Sequence, residues 1–205
     1  MKRLLVLVVM FSVFCCAGCT KRLPVEPSSP DDTLVVGRIR LYASGFEVQP
    51  DLPKINGEHV NNIEIVLKNI LEEEEYVMVS SYGGLFYKSS LKPGIYCLVR
   101  LSIKITNERG SWTSFRTTFT RPAFFLPVQA GKVSNLGGLL WYADNKSGET
   151  YLHQQDSPES LREYLAAKFP ESEWFAREWI DLELGGSGSQ GPANLPPQRT
   201  VGKNL

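Results

Sequence analysis

The chain has 205 residues, 22 of them Lys or Arg and 22 Asp or Glu, so its formal net charge is zero. That balance removes the electrostatic case for binding nucleic acid or a strongly anionic ligand. A hydrophobic fraction of 42% with 11% aromatics is enough for one globular core.

In chain order, Lys2 and Arg3 precede an uncharged run from Leu4 to Ala17, and Thr20-Lys21-Arg22 closes it. A basic start, an apolar stretch and small residues at its end form the layout of a secretory signal. The run has 14 residues, short of the roughly 20 that a membrane-spanning helix needs, so a cleaved signal over residues 1–18 is expected. Ala17 and Gly18 put small side chains before Cys19. The segment Cys16-Ala17-Gly18-Cys19 resembles the lipobox of bacterial lipoproteins, with Cys16 where that family usually has Leu. The resemblance implies a diacylglyceryl thioether on Cys19 and an added N-acyl chain. It therefore implies an extracytoplasmic domain held to the cell membrane or outer membrane, since two or three acyl chains anchor stably where one does not. Ordinary secretion with Cys19 free is the alternative.

Cys15 and Cys16 leave with the signal and Cys19 takes the lipid, so the expected mature chain keeps Cys97 alone and has no intrachain disulfide. Loss of Lys2 and Arg3 leaves 20 basic against 22 acidic residues, about −2. Residues 19–33, rich in Pro and Ser after Cys19, read as a tether between lipid and domain.

Residues 34–143 read as strands. Val35, Gly37, Ile39 and Leu41 alternate with Val36, Arg38, Arg40 and Tyr42. Further runs are expected at 63–68, 76–80, 85–88, 95–106, 113–119, 124–128 and 133–143. In the longest, Ile95, Cys97, Val99, Leu101, Ile103 and Ile105 share one face by period two, which predicts Cys97 as a small core hydrophobe and not a redox centre. Seven or eight strands split by Gly, Pro and Asn turns predict a mainly β protein, an antiparallel β-sandwich. Ser81-Tyr82-Gly83-Gly84-Leu85-Phe86 followed by Leu91-Lys92-Pro93-Gly94-Ile95-Tyr96-Cys97-Leu98 resembles the carboxypeptidase-regulatory-like and transthyretin-like (prealbumin) domains. Gly83 stands where those domains usually have Asp or Asn. The resemblance implies a prealbumin-like sandwich and says little about function, because such sandwiches host many roles.

Residues 144–184 are expected to form a helical cap. Ser157-Pro158-Glu159 is a helix start, Leu161, Tyr164, Leu165 and Lys168 keep helical spacing, and Pro170 ends the run. A second short helix is predicted from Ser172 or Glu173 to Ile180, completing a C-terminal helical pair. Its Trp174, Phe175 and Trp179 either close an open end or edge of the sandwich or form a partner or ligand surface. Trp179, four residues from Phe175, is given the stronger claim to burial and Trp174 the edge of that face. Residues 185–205, Gly- and Pro-rich with little to bury, are expected to be disordered.

The remaining chemistry is sparse. His59 and His153 stand apart from other ligand types, and Glu72-Glu73-Glu74-Glu75 reads as a solvated corner in preference to a calcium site. No G-x-S-x-G, phosphate-binding Gly loop or mature Cys–His pair is present. No catalytic residue, metal or cofactor is therefore expected. The expected role is a non-catalytic binding or assembly module that meets another envelope protein or a host surface. The alternative is a carrier or sensor of a small ligand held between sandwich and aromatic helices.

Overall fold

A computed structural model describes residues 23–182, apart from 25, 44–45, 49–57, 61–62, 108–110, 120, 123 and 144–149, together with 200–203. The expected signal, Cys19 and most of the expected tail lie outside the described residues.

The described chain is mainly β and builds two sheets. Sheet A is organised by β1 (Leu34–Ala43) and β10 (Val133–Ala143), which run parallel with Leu34 opposite Val133 and Ala43 opposite Ala143. On the far side of β1 lie β6 (Leu85–Ser89) and β2 (Phe46–Val48), both antiparallel to it. On the far side of β10 lie β11 (Thr150–Asp156), antiparallel, and β12 (Trp179–Asp181), parallel. Sheet B is antiparallel throughout. Its centre is the 14-residue β7 (Gly94–Asn107), flanked on one side by β4 (Glu64–Asn69) and β3 (Glu58–Val60) and on the other by β8 (Ser111–Thr118) and β9 (Phe125–Val128). The edges are β5 (Glu75–Val79), paired with β4, and β13 (Thr200–Lys203), paired with β8.

Three expectations change here. Sheet A is mixed and not purely antiparallel, because the pairing of two strands about 100 residues apart decides its direction. The described residues hold thirteen strands, not seven or eight, the additional ones being mostly short or lying in segments read as loop, cap or tail. The helical pair is replaced by one helix, α1 (Pro158–Lys168), followed by a single 3-10 turn at Glu173–Ala176 and then by β12.

Alternation along the strands places the core between the sheets. Val35, Ile39 and Leu41 of β1, Leu136, Leu139 and Trp141 of β10, and Tyr96, Leu98, Leu101 and Ile103 of β7 all belong to it. Trp141 Nε1 donates to Thr117 Oγ1 (3.0 Å) and Thr150 Oγ1 (3.2 Å), so the buried indole spans the layers with its polar atom satisfied. Gly84 has φ +72°, and a Cβ there would run into the Ile39 carbonyl oxygen; only glycine lets the chain turn into β6 so close to β1.

The opposite, outward face of sheet A supports a second cluster. Leu34, Val36, Leu85 and Val133 point outward and are covered by Leu161, Leu165, Trp174 and Leu23. The cover is set by its caps. Ser157 Oγ accepts from the Ser160 N–H, Pro158 opens α1, and the Phe169 N–H closes it on the Leu165 carbonyl. Buried Asn135 locks the cover to β10, its Nδ2 donating to the Pro158 carbonyl (2.7 Å) and to Asp181 (2.8 Å).

Candidate binding face

The aromatic residues singled out from sequence separate in the structure. Trp174 is fully buried in the cap cluster, so it belongs to no surface. Phe175 and Trp179 are half-buried and stack at 5.5 Å, with Arg162 over the Trp179 ring at 5.1 Å. The predicted order of burial is therefore reversed. The reason is local: after the 3-10 turn Arg177 is extended, and Trp179 pairs with Val133 as a strand, so the helical spacing of four carries no meaning. The cap covers the outer face of sheet A; only β12 lines an edge, beside β10. Trp174 Nε1 is the one buried side-chain polar atom without a partner among the described residues.

The N-terminal segment belongs to this cover from Leu23 onward. Leu23 is 2% exposed, Ser172 Oγ donates to the Pro24 carbonyl (3.2 Å), and Arg177 donates to the Pro30 carbonyl. Buried Asp32 then ties the segment to the turn after β6. Burial alone would raise its carboxyl pKa, but the Ser28 N–H and Oγ, Ser90 Oγ and the Thr33 N–H all donate to it and hold it below the ordinary Asp range. Leu23, Asp32 and Thr33 are thus buried where a free tether was expected, while Glu26 and residues 28–31 between them stay exposed.

Beside the cap, a small cleft of about 210 Å³ is lined by Arg38, Arg40, Asp156, Ser160, Leu161 and Tyr164. Arg38 Nε donates to the Gly83 carbonyl, and Arg40 stands 3.9 Å from Asp156. Next to it, Tyr42, Tyr142 and Tyr151 stack across three neighbouring strands at 5.4 and 4.4 Å, with His153 beyond Tyr151.

The outer face of sheet B has no such cover among the described residues. Leu71 is 82% exposed, Phe125 56% and Val77 50%, and Ile70 and Ile95 are exposed as well. Ile70 and Leu71 stand on the β4–β5 turn, and the Ile70 N–H donates to the Ile95 carbonyl. Ile95 lies opposite Pro127, and Phe125 lies opposite Cys97 one step away, so the four side chains group at one end of the face. Val77 lies further along it on β5.

A register irregularity produces this patch. Opposite the step from Val66 to Leu67, the pairing on β7 skips from Arg100 to Leu98. Alternation reverses across that skip, so Tyr96 and Leu98 face the core on one side of it and Leu101 and Ile103 on the other. Ile95 and Cys97, expected inside, turn to the outer side instead. Cys97 stays buried there between Lys68 and Phe125, and burial pushes its thiol pKa up despite the pull of Lys68. Sequence reading missed Ile95, Phe125, Leu71 and Val77 as surface residues. The available signal was that β7 is apolar on both faces between 95 and 98.

Charge rims one end of the patch. Lys92 Nζ lies 3.0 Å from Glu72 and 3.5 Å from Glu74, and Lys68 lies 3.7 Å from Glu73. The hydrogen bond to Glu72 raises the Lys92 pKa, and the one from Tyr76 lowers that of Glu74 and raises that of the phenol. Glu75 faces Arg100 at 3.8 Å, and Glu64 approaches the same guanidinium at 3.7 Å, so five carboxylates meet two lysines and one arginine. Among the described residues no three His, Cys, Asp or Glu side chains form a group that could hold a metal ion, and no helix is long and apolar enough to cross a membrane. The backbone of His59 lies in β3, and His153 is half-buried in β11.

No family model, curated protein or solved structure matches the chain.

Proposed function

We propose that this chain is a lipid-anchored protein of the bacterial envelope, held by acyl chains on Cys19, whose sandwich is a non-catalytic binding or assembly module. The anchoring rests on the order of basic start, apolar run and Cys16-Ala17-Gly18-Cys19. The binding role rests on one observation, the uncovered apolar group Ile70, Leu71, Ile95 and Phe125 on sheet B. Contiguous exposed apolar side chains rimmed by charge mark interaction sites on soluble domains. We also assign the sandwich to the prealbumin type; its support is the motif around Gly84-Leu85-Phe86 and Pro93-Gly94-Ile95-Tyr96 and two layers ordered β6-β1-β10-β11 and β5-β4-β7-β8.

The carrier reading has less behind it. Trp174 is packed solid, and the cleft at Arg38 and Arg40, about 210 Å³, falls below the roughly 300–1,000 Å³ of ordinary ligand pockets.

Pull-down from native membranes tests the binding role. Wild-type protein is expected to retain a protein that both Leu71→Ser and Phe125→Ser lose, with the fold unchanged by circular dichroism. Identical retained proteins for wild type and both variants would sink the proposal.

A further inference from the structure

The position of Leu23 decides which way the bare face points, given the anchoring at Cys19 proposed above. Leu23 is buried on the outer side of sheet A, with Pro24 bonded to Ser172 beside it. Four residue steps separate Cys19 from Leu23, and four steps reach at most about 14 Å when fully extended. The bare face lies across both sheets. An intersheet spacing of about 10 Å plus a side-chain layer of about 5 Å on each outer side puts it roughly 20 Å away. A bilayer held within about 14 Å of Leu23 and lying parallel to the sheets on the sheet A side does not reach the opposite face.

We infer that the cap side of the domain lies against the membrane and that the bare face of sheet B, turned away from it, docks a protein with an apolar centre and cationic groups at its rim. The apolar centre is matched by Ile70, Leu71, Ile95 and Phe125. The cationic rim is matched by the corner beside them, where Glu64, Glu72, Glu73, Glu74 and Glu75 exceed Lys68, Lys92 and Arg100 by two charges. The same excess disfavours an anionic lipid surface and a second copy of this chain, which would set the carboxylates against each other. Complementary charge of this kind orients encounter and excludes wrong partners, while the apolar centre supplies the burial.

Two measurements on the full-length lipidated protein test the inference. In vesicles of phosphatidylethanolamine and phosphatidylglycerol carrying doxyl-labelled lipid, a bimane at Glu171→Cys, next to the Ser172–Pro24 bond, is expected to be quenched several-fold more than one at Phe125→Cys. Equal or reversed quenching overturns the orientation. Repeating the assay in Cys19→Ser separates the two claims. Loss of quenching at both positions supports the anchor, whereas labelled-palmitate incorporation that survives in Cys19→Ser sinks the anchor reading by itself. In cells, p-benzoylphenylalanine at position 125 is expected to crosslink one protein, in a yield that falls several-fold with Glu73→Lys plus Glu75→Lys and with Leu71→Ser. Crosslinks to lipid, a band at twice the mass of the chain, or a yield indifferent to charge reversal each overturn the docking assignment.

Discussion

The two sheets share one core but differ in what lies on their outer faces. Sheet A turns Leu34, Val36, Leu85 and Val133 outward and buries all four under Leu23, Leu161, Leu165 and Trp174. Sheet B turns Ile70, Val77, Ile95 and Phe125 outward and leaves them in water. The residue types are alike; what differs is whether the chain supplies a cover. Sheet A is covered from before its first strand, by Leu23, and from after β11, by residues 157–182. An apolar outer face that receives a cover contributes to stability, and one that receives none stays in water, where the proposed function gives it to a partner. The same substitution therefore has opposite meanings on the two faces.

The largest expected effect is on the covered face. Trp174→Ala removes a fully buried indole and should cost about 3–5 kcal/mol in chemical denaturation of residues 19–205 expressed alone. Trp174→Phe should cost much less, because the indole N–H it removes has no partner among the described residues. Trp179→Ala, half-buried at the cap's edge, should cost about 1 kcal/mol. A Trp179→Ala effect exceeding that of Trp174→Ala would overturn the packing described for the cap.

An intermediate effect comes from Asp32, which fastens the N-terminal part of the cover. Asp32→Asn should cost about 1–3 kcal/mol at neutral pH, since four donors lose a charged acceptor. The folded carboxyl is held below its ordinary value. Its contribution is therefore full above the ordinary Asp pKa of about 3.9 and fades as pH falls through the lower folded value. Wild type and Asp32→Asn should converge in stability on strong acidification; a gap that widens there would show that the carboxylate is not what holds the segment.

The smallest effect is expected on the bare face. Leu71→Ser and Phe125→Ser should each change stability by no more than about 0.5 kcal/mol, as exposed positions do. A loss of several kcal/mol at Phe125 would mean that something covers sheet B in the free protein.

Much of the sandwich was legible from period two. The strand read at 133–143 falls on β10, and the runs at 63–68, 76–80, 85–88, 95–106 and 113–119 shift by no more than two residues at either end. The cap signal Ser157-Pro158 likewise opens α1. Features that depend on distant chain were not legible. The parallel pairing of β1 with β10 leaves no local trace, and a three-residue strand such as β12 has no period to detect. Phe175 and Trp179 happened to lie at helical spacing and drew a helix over a strand. The bare patch was hidden by the skip on β7, since one extra residue reverses every later assignment of inside and outside. The burial of Leu23 was invisible among Pro and Ser residues that read as linker.

The parallel contact between Leu34 and Val133 also bears on the order in which the molecule is made. Sheet B is assembled largely from near neighbours, with β4 meeting β5 and β7 meeting β8 across short connections. The central pair of sheet A closes a loop of about 100 residues, and closing long loops is entropically costly and slow. An emerging chain can therefore complete most of sheet B while Leu34 and Val36 still wait for β10, and they wait longer for the cap that follows it. During that interval both apolar outer faces are open to solvent at once, and the newly made chain is at its stickiest just before residues 157–182 arrive.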